Sequence, residues 1–194
     1  MANIDAPFGL RPIAKNGQNP NNGGQTQYLV GGSQTTAIFT GDPVKPKNDG
    51  TVEVATASDA LLGVFMGGFY TDPTTNKPTW NAYIPASLAT TDAKAFVCDD
   101  PQQLFIAQQD SVSAELGTSS INLNANLIFG TGSTITGVSG VEIDSSTGAA
   151  TATHQVRLLH FYDVPSNTIG DSHSIFVIKI NNHVMMGGTG TVGI

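Results

Sequence analysis

Only 12% of the 194 residues are charged, about half the share usual in soluble domains. The 59 Ser, Thr, Asn and Gln residues and 22 glycines must supply most of the polar surface, which suits a protein that is soluble through neutral groups or largely covered by neighbours. The formal charge of −7, with only eight scattered Lys and Arg residues, argues against nucleic-acid binding, which needs clustered cations.

The termini and the apolar runs carry no targeting signal. The opening MANIDAPFGLRP lacks the basic and apolar regions of a signal peptide. No apolar run approaches the ~20 residues that span a bilayer. We therefore expect a soluble protein that is made in the cytoplasm and does not contact membranes.

Short β-forming runs between turns dominate the chain. Residues 1–24 are rich in Pro, Gly and Asn, which predicts an extended N-terminal arm without regular structure. A single helical turn is predicted at 111–116, the Gly-rich segment 121–140 fits no element, and residues 183–194 form a Gly-rich tail. Runs of β-forming residues between turns, with period-two alternation clearest in 51–55, predict strands at 25–30, 36–39, 43–46, 51–55, 61–70, 79–84, 93–98, 104–108, 155–162 and 174–180.

The best-specified segment is TGDPVKPKNDGTVEVATASDALLGVFMGG, which begins at Thr40. Its Asp49-Gly50 pair supplies the positive φ of a tight hairpin between 43–46 and 51–55. The run 61–70 is apolar on both faces, which predicts a central strand, and Gly67-Gly68 within it predicts a bulge. Together these patterns predict an all-β fold, with a single antiparallel barrel or sandwich domain at 25–182.

The candidate catalytic and phosphate-binding motifs are incomplete. The glycine spacing from Gly132 to Gly137 resembles a phosphate loop, but Val138 occupies the position of the essential Lys. The Asp99-Asp100 pair before Pro101 is typical of a polar turn, although paired carboxylates also suggest acid–base chemistry or cation binding. We therefore predict no enzyme activity and no bound cofactor.

The cysteine and the histidines also favour structural roles. Cys98 is the only cysteine, so no internal disulfide forms, and we expect it to be a small buried hydrophobe. The four histidines have no paired metal-ligand spacing, and we predict no metal site. They are His154, His160, His173 and His183.

Several segments, in order, carry a resemblance to a known group of proteins. They are MANIDAPFGLRPI, FTGDPVKPKNDGTVEVATASDALLGVFMGGFYTD, AKAFVCDDPQQLFIAQQD and GTGSTITGVSGVEIDSS. The chain resembles small head structural proteins of tailed phages, notably phages of aquatic bacteria. The resemblance implies a capsid decoration (cement) protein on the head exterior of the virion, a homotrimer that binds the major capsid protein. The Asn-rich stretch 16–24 and the Gly-rich tail have no counterpart in this resemblance.

Two other functions remain open. A carbohydrate- or host-receptor-binding β-module also fits an all-β chain, but it would use several exposed aromatics. Trp80 is the only tryptophan, and its alternation with Ala82 and Ile84 predicts a core position. An enzyme such as a polysaccharide hydrolase would need a carboxylate pair in a cleft, for which Asp99 and Asp100 are the sole candidates.

The N-terminal arm contains the candidate contacts with the capsid or with a second subunit. It is too apolar for a free tail and too interrupted by Pro and Gly to form its own core. We expect it to fold against a partner, so that removing residues 1–12 would leave the melting temperature nearly unchanged; packing on its own domain is the alternative. The candidate contact residues are Ile4, Phe8, Leu10, Arg11 and Ile13.

Overall fold

The computed structural model describes residues 3–17, 19–20, 24–32, 34–88, 91–112 and 115–193. Short strands account for nearly all of the regular structure in these ranges. In chain order they are β1 Arg11–Lys15, β2 Asn19–Pro20, β3 Thr26–Val30, β4 Ile38–Phe39, β5 Pro43–Pro46, β6 Thr51–Val54, β7 Gly63–Thr71, β8 Pro78–Asn81, β9 Tyr83–Ile84, β10 Lys94–Cys98, β11 Gln103–Gln108, β12 Asn124–Ala125, β13 Leu127–Gly130, β14 Gly140–Ile143, β15 Val156–Phe161 and β16 Ile175–Ile180.

Strands β3, β5, β6, β7 and β10 form a closed ring. Strand β10 pairs with both β3 and β7, and the β5–β6 hairpin lies between them, with β6 parallel to β3. The interior is filled by apolar side chains, of which Phe65, Val44 and Ile38 are fully buried. Burial of such side chains stabilises the fold by roughly 1.5–3 kcal/mol each.

A second, open sheet continues from the ring through the turn after β10. Its order is β12-β15-β16-β11-β1-β2, and all of its pairs are antiparallel. Its core includes Phe105, Phe176 and Leu158, and also Leu61 and Val64 from the ring side. The β13–β14 hairpin contributes Leu127 and Ile143 to the same core. The two cores therefore belong to one all-β architecture, as the sequence predicts.

The strongest local predictions are confirmed. Strands β5 and β6 form the hairpin, and Gly50 has a φ of 82° in its turn. Strand β7 is buried along most of its length. The β7–β10 register shifts between Phe96 and Val97, so that Met66 is the extra residue of a bulge beside Gly67. A bulge moves the alternation of side chains by one residue.

The prediction of an unstructured N-terminal arm is wrong for its second half. Strand β1 pairs with β11 along Arg11–Lys15, and Leu10 is fully buried in the core of the open sheet. Strand β2 adds to the same edge. Period-two alternation is hidden here because the four residues of β1 after the exposed Arg11 are all half-buried. Residues 1–2, 18 and 21–23 of the predicted arm lie outside the described residues.

The predicted helical turn at 111–116 is also wrong for the residues that the structure describes there, which are 111, 112, 115 and 116. The buried Gln109 side chain explains this difference. Its Oε1 accepts a hydrogen bond from Leu116 N–H, and its Nε2 donates one to the Glu115 carboxylate. A side chain that takes a backbone donor competes with the helical hydrogen bond.

The C-terminal tail lies against the open sheet. Asn124 and Arg157 donate hydrogen bonds to Thr191 O, and Gly193 N–H donates to Ala150 O. Helical structure in the described ranges amounts to the 3₁₀ turns Thr118–Ser120, Ser145–Thr147 and Val184–Met186. None of these turns is long enough to cross a bilayer.

Candidate functional site

The five predicted contact residues lie in different environments. Leu10 belongs to the core, so it contacts no partner. Ile4 is 78% exposed, and Phe8 and Ile13 are partly buried. The Arg11 guanidinium lies 4.8 Å from the centre of the Phe8 ring, a cation–π contact. Ile4, Phe8, Arg11 and Ile13 therefore remain available at the surface.

Two polar side chains fix the backbone of residues 3–6. Gln108 is 4% exposed; its Oε1 accepts from Ala6 N–H, and its Nε2 donates to Ile4 O and to His173 O. Asn3 donates to Thr168 O and Ser172 O and accepts from Thr168 N–H. The segment before β1 is therefore tied to strand β11 and to the loop before β16.

A close backbone crossing fixes the next part of this segment. Leu10 N–H donates to Gly41 O at 2.9 Å, which connects the segment to the ring. A Cβ on Gly9 would lie 2.5 Å from Gly41 O, and Gly9 has a φ of 69°. Only glycine fits such a close approach. The chain therefore passes from the surface at Ile4 into the core at Leu10 along a defined path.

A groove of about 250 Å³ lies between this segment and the loop before β16. Ile4, Phe8, Gln108 and His173 are among the residues that line it. Ile169 in the same loop is 55% exposed. Apolar side chains thus alternate with polar groups around one opening, an arrangement found at binding sites.

Asp5, Glu142 and His173 meet beside the groove. His173 Nδ1 lies 3.8 Å from Asp5 Oδ1 and 3.9 Å from Glu142 Oε1, and the ligand atoms of the three residues lie within 4.8 Å of one another. Glu142 and His173 have side chains that are 16% exposed, against 67% for Asp5. Burial raises the pKa of the Glu142 carboxyl, and the charges of Asp5 and Asp110 raise it further.

The sequence gives little indication of this cluster. His173 appears as a turn residue, and Asp5 and Glu142 match no motif. Three distant segments supply the three side chains, so no spacing pattern could reveal them. The only local signal is that each is a ligand-type residue.

The acidic pair has structural partners. The Tyr28 hydroxyl donates to Asp99 Oδ2 at 2.6 Å, and Asp100 forms an ion pair with Lys15 at 2.7 Å. Hydrogen bonding to Lys15, followed by the backbone N–H of Gln102, lowers the pKa of Asp100. These contacts match the turn interpretation of the pair.

Cys98 and three of the histidines also have structural environments. Cys98 is 3% exposed, and burial raises the pKa of its thiol to about 11, as expected for an inert buried cysteine. His183 is buried, and its Nδ1 accepts from Met185 N–H. His154 and His160 each place Nδ1 beside a backbone carbonyl.

The predicted core position of Trp80 is wrong. Trp80 is 60% exposed in strand β8, and its ring centre lies 4.7 Å from that of Phe96. The bulge in β7 explains this placement, because Gly67 presents no side chain and the indole covers it. The surface therefore carries an aromatic pair that sequence alternation alone could not reveal.

No protein family, curated protein or solved structure matches the chain.

Proposed function

We propose that the protein is a structural decoration (cement) protein that binds the outer surface of a phage capsid as a homotrimer. The observation that carries this proposal is the combination of an exposed Ile4 with a fixed backbone on both sides of it. A preorganised apolar side chain loses little conformational entropy on binding, so it suits a permanent contact. The resemblance described above supplies the capsid as the partner.

The distribution of charge supports an assembly role. The net charge is −7 with few charged groups, and several of these form internal ion pairs, such as Lys15 with Asp100 and Lys45 with Asp59. Ten large apolar side chains in the described ranges are exposed, among them Ile4, Ile169 and Met186. One of them, Ile4, also lines the groove beside the segment before β1, where a neighbouring protein would cover it.

A host-receptor- or carbohydrate-binding module is the second candidate, and the Trp80–Phe96 pair favours it. Exposed aromatic faces provide stacking surfaces for sugar rings. A glycan-array signal that disappears in Trp80→Ala and persists in Ile4→Ser would support this function over the first.

The capsid function is tested with empty heads and matched variants. We expect the parent protein to bind heads at a fixed ratio and to sediment as a trimer. Ile4→Ser should weaken binding by about tenfold to a hundredfold, because burying an isoleucine contributes roughly 1.5–3 kcal/mol. Ile135→Ser is the matched control, since Ile135 is 95% exposed in a different loop. A protein that is monomeric both free and on heads, or that has no affinity for heads, would contradict the proposal.

A further inference from the structure

Buried polar atoms without partners mark the cluster of Asp5, Glu142 and His173. Glu142 Oε1 and His173 Nδ1 are both shielded from solvent, and neither has a hydrogen-bond partner in the described structure. Leaving such atoms unpaired costs roughly 1–3 kcal/mol each, and more for a charged group. These two atoms face one another at 3.9 Å, within ion-pair range but too far apart for a hydrogen bond, so a cation bound by both would satisfy them.

We propose that Asp5, Glu142 and His173 bind a divalent transition-metal ion of the Zn²⁺ type. One imidazole nitrogen with two carboxylate oxygens is a donor set that Zn²⁺ accepts, whereas Ca²⁺ and Mg²⁺ take oxygen ligands. This proposal concerns the isolated chain and goes beyond the capsid function.

Binding would require the ligand atoms to draw together. Zinc bonds of about 2.0–2.2 Å at tetrahedral angles place ligand atoms roughly 3.3–3.6 Å apart. The two separations from His173, 3.8 and 3.9 Å, exceed this range by a few tenths of an ångström, whereas the ligand atoms of the whole cluster span up to 4.8 Å, so the Asp5 side chain would have to move inward. Asp5 is 67% exposed, so its side chain is free to close on the ion. Water from the open side would complete the coordination.

Two of the three ligands, Asp5 and His173, are positioned by a single buried side chain. Gln108 bonds the backbone on both sides of Asp5 and also the carbonyl of His173. Glu142 is placed by its pairing with Ile128 in the β13–β14 hairpin. Ligands from three segments are thus held together by contacts outside the cluster, as supporting contacts do at metal sites.

The local charge also favours a cation. Asp110 is 4% exposed, its Oδ2 has no hydrogen-bond partner in the described structure, and its charge acts on Glu142. Two carboxylates, those of Asp5 and Glu142, therefore lie beside the histidine, and the charge of Asp110 acts on Glu142. A divalent ion would offset most of this negative charge and would join the segment that carries Ile4 to the body of the protein.

Zinc titration of the chelator-treated full-length protein tests the proposal. Calorimetry should show one equivalent of Zn²⁺ per chain, and Co²⁺ should give the visible absorption of a low-symmetry site with nitrogen and oxygen ligands. Glu142→Gln and Asp5→Asn should each weaken binding roughly tenfold or more. Asp171→Asn and His160→Ala are matched controls with exposed side chains, and they should bind like the parent.

Several outcomes would overturn the assignment. Failure of the parent to take up Zn²⁺ stoichiometrically would show that the cluster is only an ion pair of His173 with the carboxylates. Binding by Glu142→Gln and Asp5→Asn as tight as that of the controls would exclude these carboxylates as ligands. Because Asp5 is exposed, Asp5→Asn keeps the test decisive even where Glu142→Gln fails to fold. Circular dichroism shows whether Glu142→Gln is folded.

Discussion

Asp42 is a buried carboxyl at the start of the ring, and it makes stability depend on pH. It is 4% exposed, and its Oδ2 accepts from Phe39 N–H at 2.8 Å. Burial raises the pKa of Asp42 to about 6, and hydrogen bonds from Phe39 and Ser139 offset only part of that rise. The folded protein therefore favours the protonated acid more than the unfolded chain does.

This difference predicts a loss of stability as the pH rises. The contribution of Asp42 is complete below its unfolded pKa near 4 and is lost as the pH passes its folded pKa of about 6. Asn mimics the protonated acid, so the free energy of unfolding of the parent should fall relative to Asp42→Asn by about 1–3 kcal/mol between pH 4 and pH 7. Urea unfolding of both proteins at several pH values measures this, and parallel pH profiles would contradict it.

The element that most changes the interpretation of the chain is strand β1. It pairs along the edge of β11. The segment before it connects the open sheet to the ring through the hydrogen bond from Leu10 N–H to Gly41 O. The N-terminal segment therefore has two roles, a structural one from Gly9 to Lys15 and an exposed one around Ile4. This division replaces the expectation that residues 1–12 form one separable arm.

Two truncations separate these roles. Removing residues 1–7 deletes the exposed Ile4 and the hydrogen bonds of Asn3, Ile4 and Ala6 but leaves the Leu10 core in place, so it should lower the melting temperature by only a few degrees. Removing residues 1–15 deletes Leu10 and exposes the edge of β11, so we expect a fall on the order of 10 °C, because losing one buried leucine costs about 2–5 kcal/mol. Differential scanning calorimetry measures both. Equal melting temperatures for the two truncations would instead support the sequence-based prediction of a separable arm.

Local chemistry explains which elements the sequence could predict. The β5–β6 hairpin is predictable because Asp49-Gly50 specifies its turn, and β16 because the buried Phe176, Ile178 and Ile180 share one face while Lys179 lies on the other. Strand β1 is not predictable, because its partner β11 is distant in sequence and its four residues after the exposed Arg11 are all half-buried. The predicted core position of Trp80 is wrong because the bulge in the neighbouring strand β7 creates space for the indole on the surface.

The candidate site was only partly predictable for the same reason. Ile4 and Phe8 stand out as apolar residues among turn formers, and the structure places both beside the groove. The cluster of Asp5, Glu142 and His173 brings together three segments that are distant in sequence. The Gln108 side chain holds two of them, those of Asp5 and His173, next to each other. A single sequence contains no signal for such a meeting of segments.

The molecule as a whole has few charges and many exposed apolar groups, which predicts how its attachment responds to salt. If the proposed capsid contact is made by groups such as Ile4, raising NaCl from about 50 to about 500 mM should change the dissociation constant by less than about threefold, since screening acts on charges. Sulfate should tighten the contact, because it strengthens apolar burial. Binding to empty heads at each salt concentration measures both effects. A steep loss of binding in NaCl would instead assign the contact to ion pairs, and then the acidic surface rather than Ile4 would be the part of the molecule that meets the capsid.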